Sequence, residues 1–222
     1  STEGFIHHML TENSETIKPG TKWYIPAERK KVSHRMTRDI LVAKGFAVFV
    51  VNGDGLELTV PTKADQSMLE GKTEQLNTQI MRLYRENNLE QFPVAITGNV
   101  CIGRGISIMS PDFIFDYGIL SSCKKLAEAS QNAGRLKGNI KNWDNYKAPT
   151  VFTTEEFNKV ATEWEEKSRR LAEIAFEKQE AGDSTIISKT AFKTMGEDHE
   201  YIKHSELFST IKEVRAFLAR VK

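Results

Sequence analysis

The sequence predicts an α/β protein: a mostly parallel sheet flanked by helices, followed by a small α+β extension. Three observations point there. Short apolar or β-branched runs alternate with helix-period segments, the order expected when crossover helices join parallel strands. One run, FAVFVVN (Phe46–Asn52), is apolar almost throughout, as a strand covered on both faces must be. After Trp143 the alternation stops and one long amphipathic helix pattern takes over.

Residues 1–20 close on Pro19-Gly20, a turn signal, and read as a linker leading into the domain. KWYIP (Lys22–Pro26) is aromatic and β-branched, hence a short strand. In ERKKVSHRMTRDILVAKG, Val32, Met36, Ile40 and Ala43 recur at spacings of four and three, which sets them on one helix face, and Gly45 stands where such a helix ends. FAVFVVN turns at Asn52-Gly53, and LELTVPT (Leu56–Thr62) is a second extended piece. A helix is expected over about Ala64–Asn87, with Met68, Leu76, Ile80, Met81, Leu83 and Tyr84 as its apolar face. FPVAITG and DFIFDYGIL are strands separated by the glycine-bearing CIGRGISIM, and a helix is expected from Ser121 or Ser122 to about Lys137.

The extension, residues 146–222, opens with a strand in PTVFTT. A long helix follows, with Thr153 and Glu156 as a capping box and Phe157, Val160, Ala161, Trp164 and Leu171 along one face; Gly182 ends it. HSELFSTIKEVRAFLARVK supplies a strand-like stub and a short helix, with Thr210 and Glu213 as a second capping box.

Composition excludes several classes. With 31 basic and 30 acidic residues, no global charge announces a partner, though a local basic stripe is compatible with nucleic acid. The two cysteines, Cys101 and Cys123, form no CxxC pair, which argues against a disulfide framework or zinc ribbon and fits a reducing, intracellular setting, cytoplasmic or nuclear. No apolar stretch approaches the roughly 18 residues of a membrane span, and STEGFIHHML lacks the regions of a signal peptide. Ser1 in place of Met is expected of a processed or excised chain. His199 and His204 are five apart, off the spacing that puts two ligands on one helix face, so no metal site is expected.

In open α/β sheets ligands bind at the carboxyl ends of strands. FPVAITG ends in Thr97-Gly98 and leads to Gly103-Arg104-Gly105, where glycines let backbone amides approach a phosphate. Further on, QNAGRLKGN (Gln131–Asn139) places two glycines in a helical context, and each costs about 1 kcal/mol against alanine there. An arginine held beside a strand end, as Arg135 would be, can reach a γ-phosphate and stabilise transition-state charge. Glu28-Arg29-Lys30-Lys31 reads as a solvated helix start.

VAITGNVCIGRGISIMSPDFIFDYG followed by LAEASQNAGRLKGN resembles the paired late motifs of superfamily 2 helicases and translocases, motifs V and VI of the second RecA-like domain. KWYIPA, a helix and FAVFVVNGDG resemble the start of that domain, so the resemblance covers about residues 21–145. It implies a RecA-like fold in which Thr97, with Gly98, contacts the nucleic-acid backbone. Arg104-Gly105 would lie near the nucleotide, with Gln131 and Gly134 beside it, and Arg135 would be the arginine finger. The family's second motif VI arginine is replaced by Gly138, and Ser107 stands where motif V often has Asp. In this family the surface near the Glu28–Lys31 helix can lie along the nucleic acid.

No GxxxxGK[ST] and no DExD or DExH box occurs; Gly71-Lys72-Thr73 lacks the earlier glycine and falls in a helical pattern. The expectation is therefore a second motor domain. ATP with Mg would be bound mainly by a missing first RecA-like domain, with nucleic acid, DNA before RNA, as the other partner. The isolated chain is expected not to hydrolyse ATP. The alternative is a degenerate, non-catalytic RecA-like module that binds nucleic acid or protein.

Overall fold

The computed structural model describes residues 1–99, 108–121 and 143–180. Among these residues, seven strands form one mixed sheet: β1 (Lys22–Tyr24), β2 (Ala47–Asn52), β3 (Gly55–Thr59), β4 (Met68–Glu70), β5 (Val94–Gly98), β6 (Tyr117–Leu120) and β7 (Thr150–Thr153). Their order is β4-β3-β2-β5-β1-β6-β7. From β2 to β7 the pairs are parallel. The sheet is not parallel throughout, because β2 and β3 form a hairpin and β4 adds antiparallel to β3. The reversal is written in Asn52-Gly53-Asp54-Gly55, where the Asn52 side chain accepts from the Asp54 amide at 2.9 Å.

Among the described residues, four α-helices accompany the sheet: α1 (Thr2–Glu12), α2 (Lys31–Ala43), α3 (Leu76–Glu86) and α4 (Glu155–Glu180). Side chains alternate across each strand. Val48, Val50, Ala95, Trp23 and Ile119 meet Ile6 and Leu10 of α1 and Leu41 of α2 on one face. Phe49, Val51, Leu56, Leu58, Val94 and Ile96 meet Ile80 and Leu83 of α3 and Phe157 of α4 on the other. The residues of β2 up to Val51 are therefore buried, which is why the run is apolar without alternation.

Four readings of the sequence are corrected. Residues 1–20 are not a linker. Ser1 caps α1 by accepting from the Gly4 amide, and Ile6 and Leu10 have no exposed surface. The helix expected over Ala64–Asn87 is only Leu76–Glu86; Met68 lies in β4, whose residues pair with Leu56, Glu57 and Leu58. Arg82 of α3 draws the intervening segment in through Glu70 and Glu74, pairings that propensity alone does not disclose. The inward face of α2 is Ser33, His34, Thr37 and Leu41, while Val32 is 63% and Met36 49% exposed. Polar bonds from Ser33 and His34 fix that rotation. At α4 the Phe157 amide donates to Thr154, not Thr153, because the Thr153 hydroxyl donates to the Leu120 carbonyl at 2.7 Å.

The domain boundary expected at residue 145 also moves. β7 continues the sheet in register with β6, Tyr117 opposite Thr150 through Leu120 opposite Thr153. The chain divides into two compact units, Ser1–Thr162 and Glu163–Lys222. In the second unit Arg169 pairs with Glu173 one helical turn on. The strand and helix expected beyond Gly182 lie outside the described residues.

Candidate site at the carboxyl ends of the parallel strands

β5 is the middle strand of the seven, paired in parallel with β2 on one side and β1 on the other. Its carboxyl end carries Thr97 and Gly98. Gly98 has φ +109, and a Cβ there would stand 2.1 Å from the Val51 carbonyl oxygen of β2. Only glycine lets the two strand ends run this close. The Gly98 carbonyl accepts from the Ala27 amide at 3.1 Å, which ties the β1–α2 loop to the end of β5.

Thr97 has no exposed surface and shares the face of Ala95, the face covered by α1 and α2. Its hydroxyl has no hydrogen-bond partner among the described residues, nor do Nδ1 of His34 and the hydroxyl of Thr37. A backbone contact through the Thr97 hydroxyl therefore requires the strand end to open. Arg104, Gly105, Gln131, Gly134 and Arg135 lie outside the described residues, as do Ser107 and Gly138.

The described part of this edge is the loop from Pro26 to Lys30 and the first turn of α2. Arg29, Lys30 and Lys31 are exposed there. Lys31 pairs with Asp54 of the β2–β3 hairpin at 2.6 Å, and both side chains are more than half exposed, so the pair is worth little in stability. Glu28 is the anchor. Its amide donates to the Ser33 hydroxyl at 3.1 Å, its carbonyl accepts from His34 Nε2 at 2.8 Å, and its carboxylate accepts from Thr2 at 3.0 Å. The Ser33 hydroxyl in turn donates to the Glu3 carboxylate. The Ser121 hydroxyl, after β6, lies 3.3 Å from that of Thr2, so Thr2 of α1 links the loop that follows β1 to the residue that follows β6.

The hydrogen bond from Ser33 holds the Glu3 carboxyl below its ordinary value of 4.5, against the opposing effect of burial. Burial pushes the His34 imidazole below 6.5; the Glu28 carbonyl opposes this and the Lys31 charge adds to it. None of Thr2, Glu3, Ser33 and His34 stands out as a site residue in the sequence. The available signal was Ser1 and Glu3 at the start of a run with Phe5, Ile6, Met9 and Leu10 on one side, a capped amphipathic helix where a linker was expected.

Other clefts lie elsewhere. One of about 470 Å³ follows α3 between Asn77 and Asp112, and one of about 390 Å³ sits at the amino ends of β1, β6 and β7, beside Lys22, Asp116 and Thr150. Among the described residues, no group of three or more His, Cys, Asp or Glu is placed to hold a metal ion, and no helix is long and apolar enough to cross a membrane.

No family model matches the chain, and no curated protein matches it. Among solved structures it is similar to the C-terminal domain of S. cerevisiae Dbp5, determined with Gle1 and IP6 bound. The two are 17% identical, with a TM-score of 0.40, over 74% of this chain and 78% of that one.

Proposed function

We propose that this chain is the second motor domain of an ATP-dependent nucleic-acid helicase or translocase of superfamily 2. The observation that carries the reading is the position of Thr97-Gly98. This pair, from which the motif V likeness starts, ends the strand between β1 and β2, at the edge where open α/β sheets take ligands. In this reading Thr97 and Gly98 mark the strand end along which the nucleic-acid backbone runs, and the exposed Arg29–Lys31 segment lies on the same edge. Arg104, Gly105, Gln131 and Gly134 form the wall facing the nucleotide, and Arg135 is the finger that reaches ATP held with Mg by a first motor domain. Contacts of this type predict binding that tolerates sequence and weakens with salt. Single-stranded DNA is the first polymer to offer, RNA the second.

The test is the nucleic-acid-stimulated ATPase activity of the full-length gene product, wild type beside Arg135→Ala, with the 222-residue chain as control. The expected result is a fall of about 10³-fold or more in the variant and no hydrolysis by the chain alone. Unchanged activity in the variant removes Arg135 from the motor. Gly138, in place of the family's second arginine, favours a second reading as a non-catalytic RecA-like module that binds nucleic acid or protein. That reading is the one left standing if the full-length protein binds nucleic acid without hydrolysing ATP.

A further inference from the structure

Ser33, His34, Thr37 and Leu41 form the inward face of α2, which packs on β2 and β5. The layer around them is apolar, with Val48 and Val50 of β2 and Ala95 of β5. Three buried polar atoms interrupt it: Nδ1 of His34 and the hydroxyls of Thr37 and Thr97, none with a partner among the described residues. His34 is 3% exposed, and Thr37 and Thr97 have no exposed surface. They belong to one end of the fold. Thr97 stands opposite Val50 at the carboxyl end of β5. The chain entering α2 is tied to that same end, where the Ala27 amide donates to the Gly98 carbonyl, and His34 Nε2 donates to the carbonyl of the next residue, Glu28.

Neither helix formation nor packing accounts for these groups. A threonine inside a helix commonly donates to the carbonyl one turn back. Thr11 and Thr162 do so, at 2.9 and 2.8 Å, and Thr37 does not. Valine has nearly the shape of threonine, so a layer that needed only packing would be served by valine at both positions. Their chemistry fits together instead. With its proton on Nε2, His34 can only accept at Nδ1, while each threonine can give one proton and take two. No two of the three bond directly. One internal water makes about three hydrogen bonds, to buried groups that would otherwise go unpaired.

We propose that His34, Thr37 and Thr97 form a latch: they close one buried chain through a single internal water, and the chain holds the end of β5 to α2 with Thr97 turned inward. The water gives one proton to Nδ1 and one to a threonine oxygen, and accepts from the other threonine. Thr97 leaves its place only when this chain opens. The latch is a property of the fold, so it adds to the function proposed above without depending on it.

The experiment is heteronuclear NMR of the imidazole nitrogens in the full 222-residue chain at neutral pH, with His34 assigned from His34→Gln. The shift of each ring nitrogen reports whether it carries a proton, accepts a hydrogen bond or stands unbonded. In the wild type, Nδ1 of His34 is expected at the position of an acceptor, with cross-relaxation between His34 Hε1 and a long-lived water. Thr37→Val and Thr97→Val should each move Nδ1 toward the unbonded position and leave Nε2 unchanged. Thr97→Ser, which keeps the hydroxyl and loses the methyl, should restore it. A packing role alone gives the reverse order, with valine neutral and serine harmful. The Ala27 amide should exchange about five-fold faster in Thr97→Val, the net worth of one hydrogen bond. An unbonded Nδ1 or no water contact in the wild type overturns the chain, and so does a shift in only one of the two valine variants. Shifts in both with an unchanged Ala27 exchange rate overturn the latch. The wild-type spectrum decides if a variant does not fold. No readout involves ATP or nucleic acid, so failure here is separate from failure of the proposed function.

Discussion

His34 carries its proton on Nε2, because the Glu28 carbonyl can only accept. Nδ1 is then bare, and it is buried with no partner among the described residues. Protonating it would bury a charged ring, so the folded state binds the proton more weakly than the unfolded chain does. The sign follows: stability from this group is complete above about pH 6.5 and is lost as pH falls through the lowered value. Glu3 acts in the same direction but below 4.5. The melting temperature should therefore drop between about pH 7.5 and pH 5.5, and His34→Gln should flatten that drop. An equal drop in the variant would remove His34 from the account. At this scale the sequence located Thr97-Gly98 at a strand end. It did not disclose that Thr97 faces inward, because a side chain's face depends on the register with β1 and β2 rather than on its neighbours in sequence.

Elements were legible where their signal was local. β2 and β5 are near-continuous apolar runs, Gly45 follows the end of α2, and α4 carries a long amphipathic period. They were misread where a remote partner decides. α1 carries an apolar stripe whose burial is decided only by the sheet face that receives Ile6 and Leu10. α2 turns its polar residues inward and leaves Val32 and Met36 outside, since Glu3 and Glu28 partner the Ser33 hydroxyl and Nε2 of His34. β4 displaces the first half of an expected helix because β3 offers it an antiparallel edge. If α1 is an integral layer, Leu10→Ala should cost about 2–5 kcal/mol in urea unfolding, the range for emptying a buried leucine site. A cost near zero would return residues 1–20 to a linker.

Across the molecule, β7 and the first turns of α4 complete the sheet and one of its cores. Phe157 sits among Phe113, Phe115 and Leu120. A chain ending at Thr162 should keep a cooperative calorimetric transition, and one ending at Asn145 should lose it, because β6 would be left as an open edge and the Phe157 site as a void. Equal melting of the two would restore the boundary read from the sequence. Alone, the sequence determined the α/β class, the alternation that makes most of the sheet parallel, and the motif pair from which the function is argued. Each of these is a pattern of residue types along the chain. Tertiary structure decided the antiparallel edge, the rotation of α2, the burial of Thr97 and the clamp from α1 onto Glu28. Those depend on hydrogen bonds between residues such as Thr2 and Glu28, 26 apart in sequence. No periodicity records such a bond before the strands have set its two ends side by side.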